Sequence, residues 1–279
     1  MTDAMRSAFE RAAPEYDAHD ALPREVGRRL VEHLDGLVID PALIVDLGCG
    51  TGTSFEALRE RYPRARIAGL DFVHAMLRRA SARVPWWKRA LGGASPVLAC
   101  ADAHRLPLAA GCAQFVFSNL MLQWCRAETV FAEVARVLAV DGLFMFSTFG
   151  PDTLKELRAA FAAAGEADRV NPFVDMHDLG DALVQAGFAD PVMEMEMLTL
   201  EYDTLDALLG DLRGVGSSSR AGKRPIDGAQ WQAIHAEYEK YRRGGVLPST
   251  YEVVYGHAWK AAPRRTADGR QVIEFRERR

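Results

Sequence analysis

This sequence of 279 residues has no excess of positive charge: its formal net charge is −4 and its pI is near 6.0. A protein that holds nucleic acid through its overall field would be basic. Cysteine is scarce, at Cys49, Cys100, Cys112 and Cys125, with no CxxC pair and no histidine at a matching spacing. That speaks against a metal site and against a disulfide framework, and for a reducing compartment. No apolar run is long enough to cross a bilayer. The opening "MTDAMRSAFERAAPEYDAHD" mixes charges where a signal peptide needs an apolar stretch. A cytoplasmic protein without a membrane partner is the expectation. What the chain does have is a hydrophobic fraction of 49 %, enough for a core, and an ordinary 26 % of charged residues.

Apolar periodicity divides the chain into recognisable elements. Met5, Phe9 and Tyr16 recur at helical spacing, so residues 3–17 read as an amphipathic helix and 22–37 as a second. Residues 1–37 are therefore expected to form an N-terminal helical cap. Short apolar strands then alternate with amphipathic helices: "LIVDLG", "RIAGLDF", "PVLACAD", "AQFVFSNL" and "GLFMFSTF" are the strands. Such alternation specifies a mostly parallel sheet with helices on both faces. Further on, "VMEMEMLTLEY" and "TYEVVYGHAWKA" read as two last strands, with a helical insertion over 204–248 between them. So long a crossover suits a lid or a substrate wall. The main domain runs over 38–261, and 262–279 is a basic tail. The loop "PWWKRALGGASP" carries Trp86 and Trp87, which are expected to fold back on the core.

The stretch "VDLGCGTGTSFEALRERYPRARIAGLDF" carries the chemistry. Its turn is Asp46-x-Gly48-Cys49-Gly50-x-Gly52. A dinucleotide turn would be GxGxxG, with pyrophosphate on the helix N-terminus. Here the third glycine comes one residue early and an acid leads the motif. A carboxylate in that place repels pyrophosphate and welcomes an ammonium group, and the glycines let backbone approach the ligand. Asp71 ends the second strand, where it can accept both hydroxyls of a ribose. Phe72 and Met76 follow it. Asp102 ends the third strand, placed for the amino group of an adenine, with the Ala103 backbone on the ring edge. Asn119 and Leu120 end the fourth. All belong to the carboxyl edge of one sheet, where open α/β sheets bind ligands.

A ligand with adenine, ribose and a cationic amino-acid end is S-adenosylmethionine. The constellation resembles the class I S-adenosylmethionine-dependent methyltransferases, which implies their Rossmann-like, mostly parallel seven-stranded sheet. The likeness extends further. "FERAAPEYDAHDALPREVGRRL", "SNLMLQWC", "FSTFGPDTLKELR", "NPFVDMHDLGDALVQAGFADPVM", "LLGDLRGVG" and "LPSTYEVVYGHAWK" resemble, in order, the malonyl-acyl-carrier-protein O-methyltransferase family of biotin synthesis. A mitochondrial complex I assembly factor that hydroxylates an arginine has a similar start and final strand. Enzymes of the same fold also act on quinone precursors and other small acids, and fold-level likeness does not settle the acceptor.

The family resemblance implies that the N-terminal segment, with Tyr16, closes over the cofactor. It also implies an acceptor carboxylate on a malonyl thioester of acyl carrier protein. Such a carboxylate is ionised already, so no general base and no triad is expected. Arg213, in the insertion, is the candidate to hold it with a planar fork, and Tyr251 the candidate to line the same pocket. His177 and His257 read as structural. Arg220, Lys223 and Arg224 are expected to dock the acidic carrier protein.

Overall fold

The computed structural model describes residues 2–83, 95–217 and 225–262. Among them seven strands form one sheet: β1 Leu43–Leu47, β2 Arg66–Asp71, β3 Val97–Cys100, β4 Ala113–Ser118, β5 Leu138–Phe149, β6 Phe188–Tyr202 and β7 Leu247–Lys260. Their order is β3-β2-β1-β4-β5-β7-β6. The first five in that order are parallel, and β7 runs antiparallel to both β5 and β6. The order reverses between β1 and β4, so the crevice for a ligand opens there, outside the carboxyl ends.

Alternation along the strands explains why both faces are covered. Phe115, Phe117, Leu143, Met145, Val253 and Tyr255 pack into one apolar cluster, while Val116, Phe144, Phe146, Val254 and Ala258 pack into another. The first face is closed by helices α3 Ala21–Glu32, α4 Phe55–Arg61, α5 His74–Arg83, α7 Lys155–Ala163 and α10 Gly228–Glu239. The second is closed by α6 Ala127–Val137 and α8 Met176–Gln185. Period-2 side chains with helices on either side leave no face of the central strands in water.

The helix expected over 3–17 is broken. It forms α1 Asp3–Ala12 and a short α2 Tyr16–His19. Pro14 lies at the break, where its missing N–H and its ring end a helical run. Tyr16 thereby starts a new segment rather than continuing the stripe of Phe9. The second helix stops at Glu32. The strand expected from Val192 begins earlier, at Phe188, and its pairing with β7 shifts register between Ala189 and Val192. Pro191 sits inside that irregularity, a place in a sheet that accommodates a residue without an N–H.

The insertion leaves β6 and rejoins β7 at directly opposed residues, Tyr202 and Leu247. Between them lie α9 Leu205–Gly214 and α10. Thr204 caps α9 by accepting from the Ala207 N–H, and Asp227 with Gln230 forms a capping box on α10. No helix among the described residues is long and apolar enough to cross a membrane. Trp86, Trp87, the residues 218–224 and the tail from 263 lie outside the described residues.

Candidate functional site

The glycine turn after β1 is lashed to the end of β2. The N–H groups of Gly48 and Cys49 both donate to the Leu70 carbonyl, at 2.8 and 3.0 Å. The Gly50 N–H donates to Asp71 Oδ2 at 2.9 Å, and the Val73 N–H to Asp71 Oδ1 at 2.8 Å. The glycines differ in purpose. Gly50 has φ +53° and nothing within 4 Å of where a Cβ would stand, so its missing side chain leaves open space at the cavity. Gly52, at φ +78°, would place a Cβ 2.5 Å from the Phe55 ring, so it serves the packing of α4.

Two acids sit beneath this turn. Asp46 is buried, and its Oδ2 has no hydrogen-bond partner among the described groups. Burial, and then the charge of Asp71, push its carboxyl up to about 8. Asp71 lines the cavity; burial pushes it up to about 6, against the bonds it accepts from the backbone. A pair of acids so placed favours a ligand that brings a cation and hydroxyl donors, and disfavours phosphate.

One cavity of about 400 Å³ runs from this edge to the insertion. On the turn side it is lined by Gly48, Gly50, Asp71, Phe72, Met76, Ala103, Asn119 and Leu120, with Tyr16 on the cap side. Burial, and then the nearby Asp71 charge, push the Tyr16 phenol well up. Arg6 stacks over Phe72 at 4.0 Å from the ring centroid. Asn119 ties three elements together: its Nδ2 donates to the Pro23 carbonyl and its Oδ1 accepts from Ser147 Oγ. Leu120 has φ +48°, uncommon outside glycine, and its N–H donates to Ser147 Oγ at 3.0 Å.

Asp46, Cys49, Gly52 and Asp102 do not line this cavity. The Cys49 thiol is buried, and a Cβ on Gly69 would meet its Sγ at 3.0 Å, so the thiol faces β2. Asp102 lines a second, open cavity with His104, Cys125 and Arg126; Gln123, Trp124 and Asn171 belong to both cavities. Its Oδ1 accepts from the His104 N–H at 3.0 Å and stands 2.7 Å from His104 Nδ1.

The far half of the main cavity is walled by Phe149, Leu157, Phe161, Ile226, Trp231 and Tyr251. Arg213 reaches it from α9, at an exposed position. Arg169 also lines it, with its side chain 16 % exposed and its Nε donating to Glu166. Tyr251 lies on β7 and is buried; burial pushes its phenol up to about 12. His177 stands outside, where Asp175 caps α8 by accepting from its N–H. His257 lies with His33 and Glu194 around a different, small pocket.

A methyltransferase domain model matches residues 45–146, the span from β1 into β5. The malonyl-[acyl-carrier protein] O-methyltransferase of Gallionella capsiferriformans is 48 % identical over 275 residues, covering 97 % of this chain and 95 % of that protein. The one of Laribacter hongkongensis is 49 % identical over 280 residues, covering 97 % and 94 %. The chain belongs to the malonyl-[acyl-carrier protein] O-methyltransferase family. The fold is that of class I methyltransferases. It matches the crystal structure of the YcgJ protein of Bacillus subtilis with a TM-score of 0.60 at 13 % identity, over 84 % of this chain and 99 % of that one. It also matches a geranyl diphosphate C-methyltransferase from Streptomyces coelicolor, at a TM-score of 0.50 and 18 % identity, over 84 % and 78 %.

Within this member of the methyltransferase family, several site residues escape sequence reasoning. Asp17 accepts from Thr51 Oγ1 at 2.7 Å and pairs with Arg79 and Arg83, both at 2.8 Å. His19 Nδ1 lies 2.7 Å from Asp211 Oδ1 on α9. Tyr202 joins Tyr251 and Asp211 in the cavity wall. Their partners are up to 192 residues away in sequence, so no local pattern marks them.

Proposed function

We propose that this chain transfers the methyl group of S-adenosylmethionine to the free carboxylate of a malonyl thioester on acyl carrier protein, opening the route to the pimeloyl precursor of biotin. Identity of 48–49 % over nearly the whole length of its relatives carries the reading. The residues at the turn fit the donor. Asp46, behind the cavity wall, keeps an unpartnered buried carboxyl oxygen beneath the turn, and the charge of a nearby ammonium group would favour its ionised form. Asp71 offers acceptors at the cavity wall for ribose hydroxyls, and Gly50 leaves room for close approach. Phe72, Met76 and Ala103 line the path toward the adenine, with Asp102 and the Ala103 backbone on its polar edge. The donor supplies an activated methyl group and needs no proton removed for transfer.

The chain's own work is to orient the acceptor and exclude water. A malonyl carboxylate is ionised at neutral pH, so no base is required. Water on that carboxylate would blunt it, and the wall of Leu157, Phe161, Ile226 and Trp231 favours its removal. Arg213 would orient the carboxylate by two parallel bonds; among the described residues its guanidinium makes no ion pair that would compete. Tyr251 stays protonated at neutral pH and would donate. The test is methyl-labelled donor with malonyl-carrier protein against acetyl-carrier protein, which lacks the carboxylate. Label should enter the malonyl substrate alone, and Arg213→Ala should raise its KM about tenfold or more while donor affinity holds. Absence of label in malonyl-carrier protein would sink the assignment.

A further inference from the structure

The second cavity poses a question of specificity. Asp102 follows β3 at the carboxyl edge, and its side chain is 40 % exposed. A carboxylate so exposed would ordinarily sample several rotamers. Here His104 holds it twice, through its backbone N–H at 3.0 Å and its Nδ1 at 2.7 Å, both on Oδ1. The imidazole is fixed in turn. It is 17 % exposed, and its Nε2 accepts from the Arg126 N–H at 3.1 Å. A backbone N–H can only donate, so Nε2 must carry the lone pair and Nδ1 the proton. The ring is thus locked at both nitrogens, between the loop after β3 and the start of α6. Against the opposing effect of burial, the two bonds from His104 hold the Asp102 carboxyl below the usual range, so it is an anion at neutral pH.

We propose that His104 is a positioning residue for base recognition: it fixes the Asp102 carboxylate so that the site takes a base with an exocyclic amine and rejects one with an oxygen there. This rests on the reading of the cofactor as an adenosyl compound. An ionised carboxylate accepts from an amine and is repelled by a carbonyl oxygen, so the difference between adenine and hypoxanthine reads its position directly. Ala101 and Ala103 on either side line the main cavity, and Trp124 and Gln123 join the two cavities, so one elongated ligand can reach both.

The experiment is calorimetric titration of the full chain with S-adenosylhomocysteine and with S-inosylhomocysteine. The parent should prefer the adenosyl compound by about tenfold or more, the scale of one charge-assisted bond. His104→Ala should cut that preference to about threefold or less. His104→Asn, whose side-chain amide can replace the Nδ1 donor, should restore most of it. A ring that only braces the loop would change both affinities together and leave their ratio alone. A ratio lost in Asp102→Asn but kept in His104→Ala overturns the role of His104. A ratio kept in Asp102→Asn as well overturns the base site itself.

Discussion

Asp46 carries a carboxyl whose charge the fold opposes: it is buried, and its Oδ2 has no hydrogen-bond partner among the described groups. In an unfolded chain a carboxyl titrates near ~3.9; in this fold Asp46 titrates at about 8, because burial and then Asp71 oppose its charge. Between those values the folded state binds more protons than the unfolded one. Stability of the ligand-free protein therefore falls as pH rises from about 4 toward about 8, and the loss is complete above the folded value. Asp46→Asn removes the charge and should flatten that slope. Its melting temperature should exceed the parent's by several degrees at pH 8, at roughly 2–4 °C per kcal/mol for a protein of this size, with a smaller difference at pH 5. On the proposed donor site the variant should also bind S-adenosylhomocysteine more weakly, since an amide cannot ionise to pair with the ammonium. Parallel melting curves for the two proteins across pH 5–8 would refute the burial argument.

Among the elements, α2 is the one whose position matters most for its size. Its four residues carry Tyr16 into the cavity, Asp17 to the glycine turn and α5, and His19 to α9. The approach to α9 is close: a Cβ on Gly214 would fall 2.3 Å from the His19 ring, and one on Gly216 would fall 2.6 Å from the Phe9 ring. So short a helix has no stability of its own and depends on these partners. The cap thereby lines the turn side of the cavity through Tyr16 and meets its insertion side through His19, which pairs with Asp211. His19→Ala should raise KM for the malonyl thioester about tenfold, the scale of a charge-assisted bond, while changing S-adenosylhomocysteine affinity less than about threefold. Equal losses in both measurements would mean that His19 serves the whole cap and has no particular hold on the acceptor wall.

For the molecule as a whole, net charge and substrate stand in tension. The chain carries −4, and the carrier protein of the proposed reaction is acidic, so their encounter would call for a local basic face. Arg220, Lys223 and Arg224 lie in sequence between α9 and α10. Changing all three to Glu should lower kcat/KM for malonyl-carrier protein far more than for malonyl-coenzyme A. The parent's rate with the carrier protein should fall steeply with salt. An equal effect on both thioesters would place the docking face elsewhere.

The sequence by itself determined the sheet, its helices and the strand tips at its carboxyl edge. Strand alternation and helical periodicity are local signals, and the turn from Asp46 to Gly52 with Asp71 is a local motif whose geometry follows from short-range backbone constraints. The end of the first helix at Pro14 was also legible in the residue type, although apolar spacing concealed it. Only the tertiary structure decided which residues share the cavity and which brace the cap beside it. Asp17 meets Thr51, Arg79 and Arg83 across three elements, and His19 meets Asp211 from the other end of the chain. Asp102 turned to a second cavity because His104 and the Arg126 backbone hold it there. Such pairings depend on the summed packing of distant elements, and a side chain's neighbours across a fold leave no period in the sequence.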